Sequence, residues 1–130
     1  MSIASGAIWA AAIMAAKARA FDAGFPAANV RHHFVGQDQE KGVYAKELHI
    51  PAGYHLVSHA HVYDHLSILA AGRVRLSVDG ITRELTGPVA LTIKAGAAHT
   101  VRALTDAVWF CIHPTKETDS SLVDAAILKE

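Results

Sequence analysis

Five of the nine histidines in this sequence fall between positions 49 and 65, and the densest run is His59-Ala60-His61-Val62-Tyr63-Asp64-His65. Residues two apart on a β-strand share a face, so His59 and His61 can offer two imidazoles to one ion. Three residues then separate His61 from His65, enough for the chain to turn, begin a strand over 66–70 and bring back a third imidazole. Far along the chain, Gly96-Ala97-Ala98-His99 places a fourth at the start of another strand. Neutral imidazole suits zinc, iron, nickel and copper, whereas calcium and magnesium want oxygen. The expected chemistry is that of one bound divalent transition metal.

Other polar residues near this run are pocket candidates. His55 lies four residues before His59, so an unbroken strand puts it on one inward face with Val57 and His59. Tyr63 and Asp64 occupy the connecting turn, where Asp64 either hydrogen-bonds the spare N–H of a ligand or faces solvent. Glu47 and Tyr54 complete the groups that could act as acid, base or pocket lining, and none of them stands out as a general base. His32, His33 and His49 read as surface or hydrogen-bonded residues.

The elements that must hold these side chains are mostly strands. Between residues 31 and 113, short apolar runs alternate with turn signals at Gly42, Pro51-Ala52-Gly53, Gly72, Gly87-Pro88 and Gly96, a spacing typical of sandwiches and barrels. The clearest hairpin joins 73–78 to 81–85 through Asp79-Gly80, a pair suited to the positive φ angles of a type I′ turn. Residues 107–113 are apolar on both faces, so that strand should be covered from inside and outside. The apolar residues lining the interior should include Val57 and Leu69. Residues 1–26 form an Ala-rich helix and linker that ends by Gly24 and Pro26, with its large apolar residues spread around the wheel, fit to pack on the barrel or on a partner. Residues 27–130 form the barrel domain, closed by a short helix at about 119–129.

Composition narrows the function. The chain has 130 residues, 52% hydrophobic and 18% charged, with 12 basic and 12 acidic side chains. Such a chain makes one packed domain without the basic footprint of a nucleic-acid or acidic-membrane binder. The apolar stretch 3–16 is too short to span a bilayer, and no Lys or Arg precedes it as in a signal peptide, so a cytoplasmic protein is expected. The single Cys111 permits no intramolecular disulfide and no zinc site of several thiolates.

The stretch Gly53-(five residues)-His59-Ala60-His61-(three residues)-His65-(six residues)-Gly72 resembles the first motif of the cupin family, with His65 where Glu is usual. A weaker match to the second motif runs from Gly87 through Lys94-Ala95-Gly96 to His99, with Lys94 in place of Pro, one extra residue before it, and Ala103 in place of Asn. The resemblance covers about residues 41–113. It implies an all-β, antiparallel jelly-roll barrel, with His59, His61, His65 and His99 as metal ligands and a homodimer as the usual state. Cupins with three or four His and no Glu resemble metal-dependent dioxygenases that cleave small diketones or related organic acids. In that reading iron(II) is favoured, with nickel, zinc, manganese or copper as alternatives. Exchanging Glu for His leaves the ion's charge uncompensated and favours anionic small-molecule ligands. Two other functions use the same residues: a metal-dependent ligand-binding or assembly module without catalysis, and a Lewis-acid isomerase or hydrolase.

Overall fold

The computed structural model describes residues 27–58 and 63–127. Among the described residues, nine antiparallel strands form two facing sheets. They are β1 (Val30–Val35), β2 (Val43–Ile50), β3 (His55–Ser58), β4 (His65–Ala71), β5 (Arg73–Val78), β6 (Ile81–Thr86), β7 (Val89–Ile93), β8 (His99–Ala103) and β9 (Ala107–Pro114). One sheet has the order β1-β2-β9-β4-β7 and the other β3-β8-β5-β6. Strands distant in sequence therefore lie side by side, as in a jelly roll. The expected all-β jelly-roll architecture is what the chain adopts. The helix expected over residues 1–26 lies outside the described residues. No helix among the described residues is long and apolar enough to cross a membrane.

Local chemistry explains the ends of these elements. At the β5–β6 turn Asp79 has φ 49° and Gly80 φ 83°, and Val78 pairs with Ile81 across them. Both central residues need left-handed backbone there, which Asp tolerates and Gly adopts freely. The closing helix, α1 (Ser120–Ile127), starts where Asp119 caps it. The Asp119 carboxylate accepts from the Ser121 backbone N–H at 2.9 Å and from the Ser121 hydroxyl at 2.7 Å. Val123 of α1 is buried in a cluster with Tyr44, against which Phe34 and Tyr63 pack.

Strand pairing sorts the five-stranded sheet's inward residues into rows. One row runs Val30, Leu48, Trp109, Leu69, Val89, and the next His32, Lys46, Cys111, Ser67, Leu91. A third holds Phe34, Tyr44 and His113, with His65 and Ile93 beyond. The first row meets Val74, Leu76, Val101 and Ala103 of the opposite sheet in the main core. One end of the barrel is thus filled with hydrocarbon and the other carries imidazoles. On the outward face of β9, Val108, Phe110 and Ile112 are half-buried. This agrees with a strand apolar on both sides, and the segment expected to cover it lies outside the described residues.

Candidate metal centre

His65 opens β4 in one sheet and His99 opens β8 in the other, and the fold brings their ring centroids to 6.1 Å. They are 4% and 6% exposed. Register fixes both: His65 pairs with Ile93, and His99 lies between Ser58 on β3 and Val78 on β5. At metal–nitrogen distances of about 2.1 Å, two imidazoles this far apart are within reach of one ion. Burial is the main influence on His65 and pushes its pKa down to about 4, against a smaller upward pull from Asp64. The ring is therefore neutral at physiological pH, the state that ligates metal. His59 and His61, the other two expected ligands, lie outside the described residues.

A third imidazole was not among the ligands expected from spacing. His113 near the end of β9 is 1% exposed and stacks on His65 with ring centroids 4.6 Å apart. The pairing of Leu66 with Ile112, continued by one residue, sets the two rings opposite each other. Alternation within β9 puts His113 on one face with Trp109 and Cys111, but the adjacency of β9 and β4 is a product of the topology. Around His113 the packing is aromatic: Tyr63 meets it edge-on at 5.9 Å, and Tyr44 lies 6.4 Å away. His32 Nδ1 in turn is 2.7 Å from the Tyr44 hydroxyl. Burial raises the Tyr63 pKa, so its phenol stays protonated.

Neutral, buried imidazoles are the donor chemistry that a divalent transition metal requires, and in that respect the residues fit the implied ion. Among the described residues no group of three ligating side chains is ready to hold a metal.

The pocket candidates divide. Tyr63 lies beside His113, as above. Asp64 is exposed and faces the turn before β8: its Oδ1 accepts from the Ala95 backbone N–H at 2.8 Å, and its Oδ2 is 3.5 Å from Lys94 Nζ. The Ala95 hydrogen bond is the main cause holding its pKa below the ordinary carboxylate value. Asp64 therefore ties the chain entering His65 to the turn leading into His99. Replacing it with Ala should weaken metal binding several-fold while barely moving the melting temperature, because the contact is exposed but fixes the spacing of two ligands. Unchanged affinity in a chelator competition would remove this positioning role.

His55 is buried, yet the β3 register pairs it with Arg102 and pairs Val57 with Thr100. Opposed residues share a face. His55 and Val57 thus lie on the side of the sheet away from His99 and Val101, and Leu56 is the β3 residue packed against the core. The expected inward face for His55 and Val57 is not observed, because the alternation fixes which residues go together and the pairing with β8 fixes the phase. Leu69 is in the core as expected. Tyr54 is exposed in the turn before β3, its backbone N–H donating to Pro51. Glu47 lies on the outward face of β2, because Leu48, the next residue, and Ile50, three residues on, point into the core. There it is hydrogen-bonded to His33 and His49.

The depressed pKa of His65 has a thermodynamic consequence. Above pH 6.5 the ring is neutral whether the chain is folded or unfolded. Between pH 6.5 and about 4 the unfolded chain takes up a proton that the folded protein refuses, so stability falls as the pH drops through that window. In metal-free protein the urea midpoint should fall between pH 7 and pH 5, and His65→Gln should flatten that slope. An unaltered slope in the variant would mean that His65 is not held neutral by burial.

No protein-family model matches the chain, and no curated protein is similar to it in sequence. Solved structures are similar in fold. A cupin superfamily protein from Desulfitobacterium hafniense superposes with a TM-score of 0.51 at 14% identity, over 64% of this chain and 74% of that one. An RmlC-like cupin from Shewanella frigidimarina gives 0.50 at 17% identity, over 68% and 86%. The cupin domain of an XRE family transcriptional regulator from Enterobacter cloacae gives 0.50 at 15% identity, over 64% and 90%.

Proposed function

We infer that this chain, which has the cupin fold, binds one divalent transition-metal ion through His59, His61, His65 and His99 and uses it to oxidise a small diketone or organic acid with oxygen. The observation that carries this reading is the meeting of His65 and His99 from opposite sheets at 6.1 Å. Iron(II) is the favoured metal, in keeping with the cytoplasmic location that we propose for the chain. The ion would supply the oxygen chemistry. The chain's own residues bind and orient: neutral imidazoles hold the ion without cancelling its charge, which favours an anionic substrate. The buried wall of Tyr44, His113 and Ile93 limits water around the histidines. The Tyr63 phenol, kept protonated by burial, can donate a hydrogen bond to an oxyanion. A homodimer is the assembly we favour.

The test is oxygen uptake by protein loaded with iron(II) under anaerobic conditions, challenged with a panel of diketones and aromatic acids. Uptake that depends on one substrate class and is lost in His99→Ala supports the oxygenase. A protein that retains iron yet consumes no oxygen with any of them is not a dioxygenase of this kind. Turnover without oxygen would instead indicate the Lewis-acid isomerase or hydrolase.

A second reading, a metal-dependent ligand-binding module, is favoured by the placement of the carboxylates. Glu47 is on the outer face, and Asp64 is committed to Ala95 and Lys94, so neither is positioned as a general base beside His65. The Enterobacter cloacae regulator domain shows this fold within a transcriptional regulator. Saturable ligand binding without turnover would select this reading.

A further inference from the structure

We propose that residues 3–16 of this same chain dock on the outer face of the larger sheet, over β9 and β4, and close an apolar strip that the strands leave open there. The proposal is independent of the metal centre, because His65 and His113 point from the opposite face of the same two strands.

Strand pairing draws the strip. On the outward face Ala45, Ile112 and Leu66 form one row across β2, β9 and β4, Phe110 pairs with Ile68 in the next, and Val108 follows along β9. Leu66 is 41% exposed, and Ile68, Val108, Phe110 and Ile112 are half-buried. Polar residues rim the strip: Arg31, His33 and Glu47 on the β1–β2 side, and Thr92 on β7. A contiguous apolar area with a polar border marks a surface that is covered in the working protein. The outer face of the smaller sheet is different. Beyond its edge strand β3 it carries Arg73, Arg75 and Glu84, joined in ion pairs, with Ser77 and Thr82 hydrogen-bonded beside them. An apolar segment placed there would desolvate charges and gain little.

The chain itself supplies the occupant. Residues 3–16 contain no charged side chain and carry Ile3, Ile8, Trp9, Ile13 and Met14 among alanines, so the segment gains by leaving water. Its length fits the sheet. As the helix that its alanines favour, these 14 residues span about 21 Å, and five strands spaced at about 4.8 Å are about 19 Å across. Its point of attachment fits as well. The 3₁₀ turn Ala27–Asn29 leads directly into β1, and the Asn29 side chain donates to the His49 carbonyl at 2.8 Å. His49 is the outward neighbour of Val108, so the chain joins the barrel at a corner of the strip. The connecting residues 17–26 can reach about 35 Å when extended, more than the width of the sheet. A tether this short sets an effective concentration on the order of millimolar, which a second copy at micromolar concentration does not match. Leu66 and Ile112 adjoin His65 and His113 in sequence, so the covered strip also backs the strands that carry those imidazoles.

The experiment is cysteine cross-linking in the full chain. Cys111→Ser removes the native thiol, Leu66→Cys places one on the strip, and Ala4→Cys, Ile8→Cys, Ala12→Cys or Ala16→Cys places a second, in four separate proteins treated with a short flexible bis-maleimide. An intramolecular link is expected in at least one of the four, with a yield at least about 10-fold above that obtained when Thr82→Cys on the smaller sheet replaces Leu66→Cys. Covalent dimers in place of intramolecular links would assign the strip to a second copy and overturn the proposal. Equal yields from Leu66→Cys and Thr82→Cys, or no link in any of the four, would overturn it too. Leu66 and Thr82 are exposed, so these changes should leave the fold intact. A second readout needs no cross-linker and keeps Cys111. In Trp109→Phe the sole tryptophan is Trp9, whose fluorescence should lie to the blue of a solvent-exposed indole and move to the red when Leu66→Glu is added. Trp9 emission that Leu66→Glu leaves unchanged would count against docking on this strip.

Discussion

His99→Ala is expected to lower metal affinity by at least about 100-fold, the largest functional effect of any single change in this protein. Loss of an outer partner of a metal ligand costs about 10- to 100-fold, and removal of a ligand should cost no less. His99 is held between β3 and β5 at the end of the barrel where the imidazoles gather, so no neighbouring side chain on its own strand can take its place: Val101 is the next residue on that face. The proper comparison is His113→Phe. A phenyl ring preserves the stacking partner of His65 at the 4.6 Å contact while offering no lone pair. Elemental analysis and chelator competition on the two variants separate their roles. A modest loss in His113→Phe would make His113 a positioning residue that orients the His65 ring. An equal loss in both would make His113 a ligand, and the set inferred from spacing incomplete. If His99→Ala retained its metal with parental affinity, His99 would be a buried structural residue and the metal-centre reading would fall.

Trp109→Ala is the change expected to cost most stability, about 3–5 kcal/mol. Trp109 is fully buried at the centre of the larger sheet, with Leu48 beside it on β2 and Leu69 on β4, and it belongs to the cluster that joins the two sheets. A domain of this size has about 5–15 kcal/mol in total, so the loss is roughly a fifth or more of the stability and lowers the melting temperature by roughly 10–20 °C. Trp109→Phe fills part of the cavity and should lose much less. Thermal denaturation followed by far-ultraviolet circular dichroism tests both. A shift of only a few degrees in the alanine variant would show that the indole does not bridge the sheets as its burial indicates.

The two predictions rest on opposite ends of one barrel. Hydrocarbon rows around Trp109 hold the sheets together, and the imidazole-bearing end is supported by that packing. Tyr44 and Val123 cap the latter from β2 and α1. The candidate centre therefore stands on rigid strands, with Asp64 bridging the two loops that lead to its ligands.

Much of this was legible in the amino-acid sequence. Turn residues at regular intervals marked an all-β domain, Asp79-Gly80 fixed a hairpin whose backbone angles its own chemistry requires, and Asp119 announced the closing helix. The spacing of His65 and His99 within two motif-like segments anticipated that they would meet, and they do. Only the tertiary structure decided which neighbours joined them. His113 is 48 positions from His65 in sequence and reaches it because β9 lies beside β4, a long-range pairing that no local pattern encodes. The same limit governed His55 and Glu47. Alternation sets which residues share a face, but which face turns inward depends on the partner strand: β8 turns His55 away from the core, and the burial of Leu48 and Ile50 turns Glu47 outward to His33 and His49. Local chemistry determined the elements, and the burial of apolar surface between sequence-distant strands determined which of their polar side chains face one another.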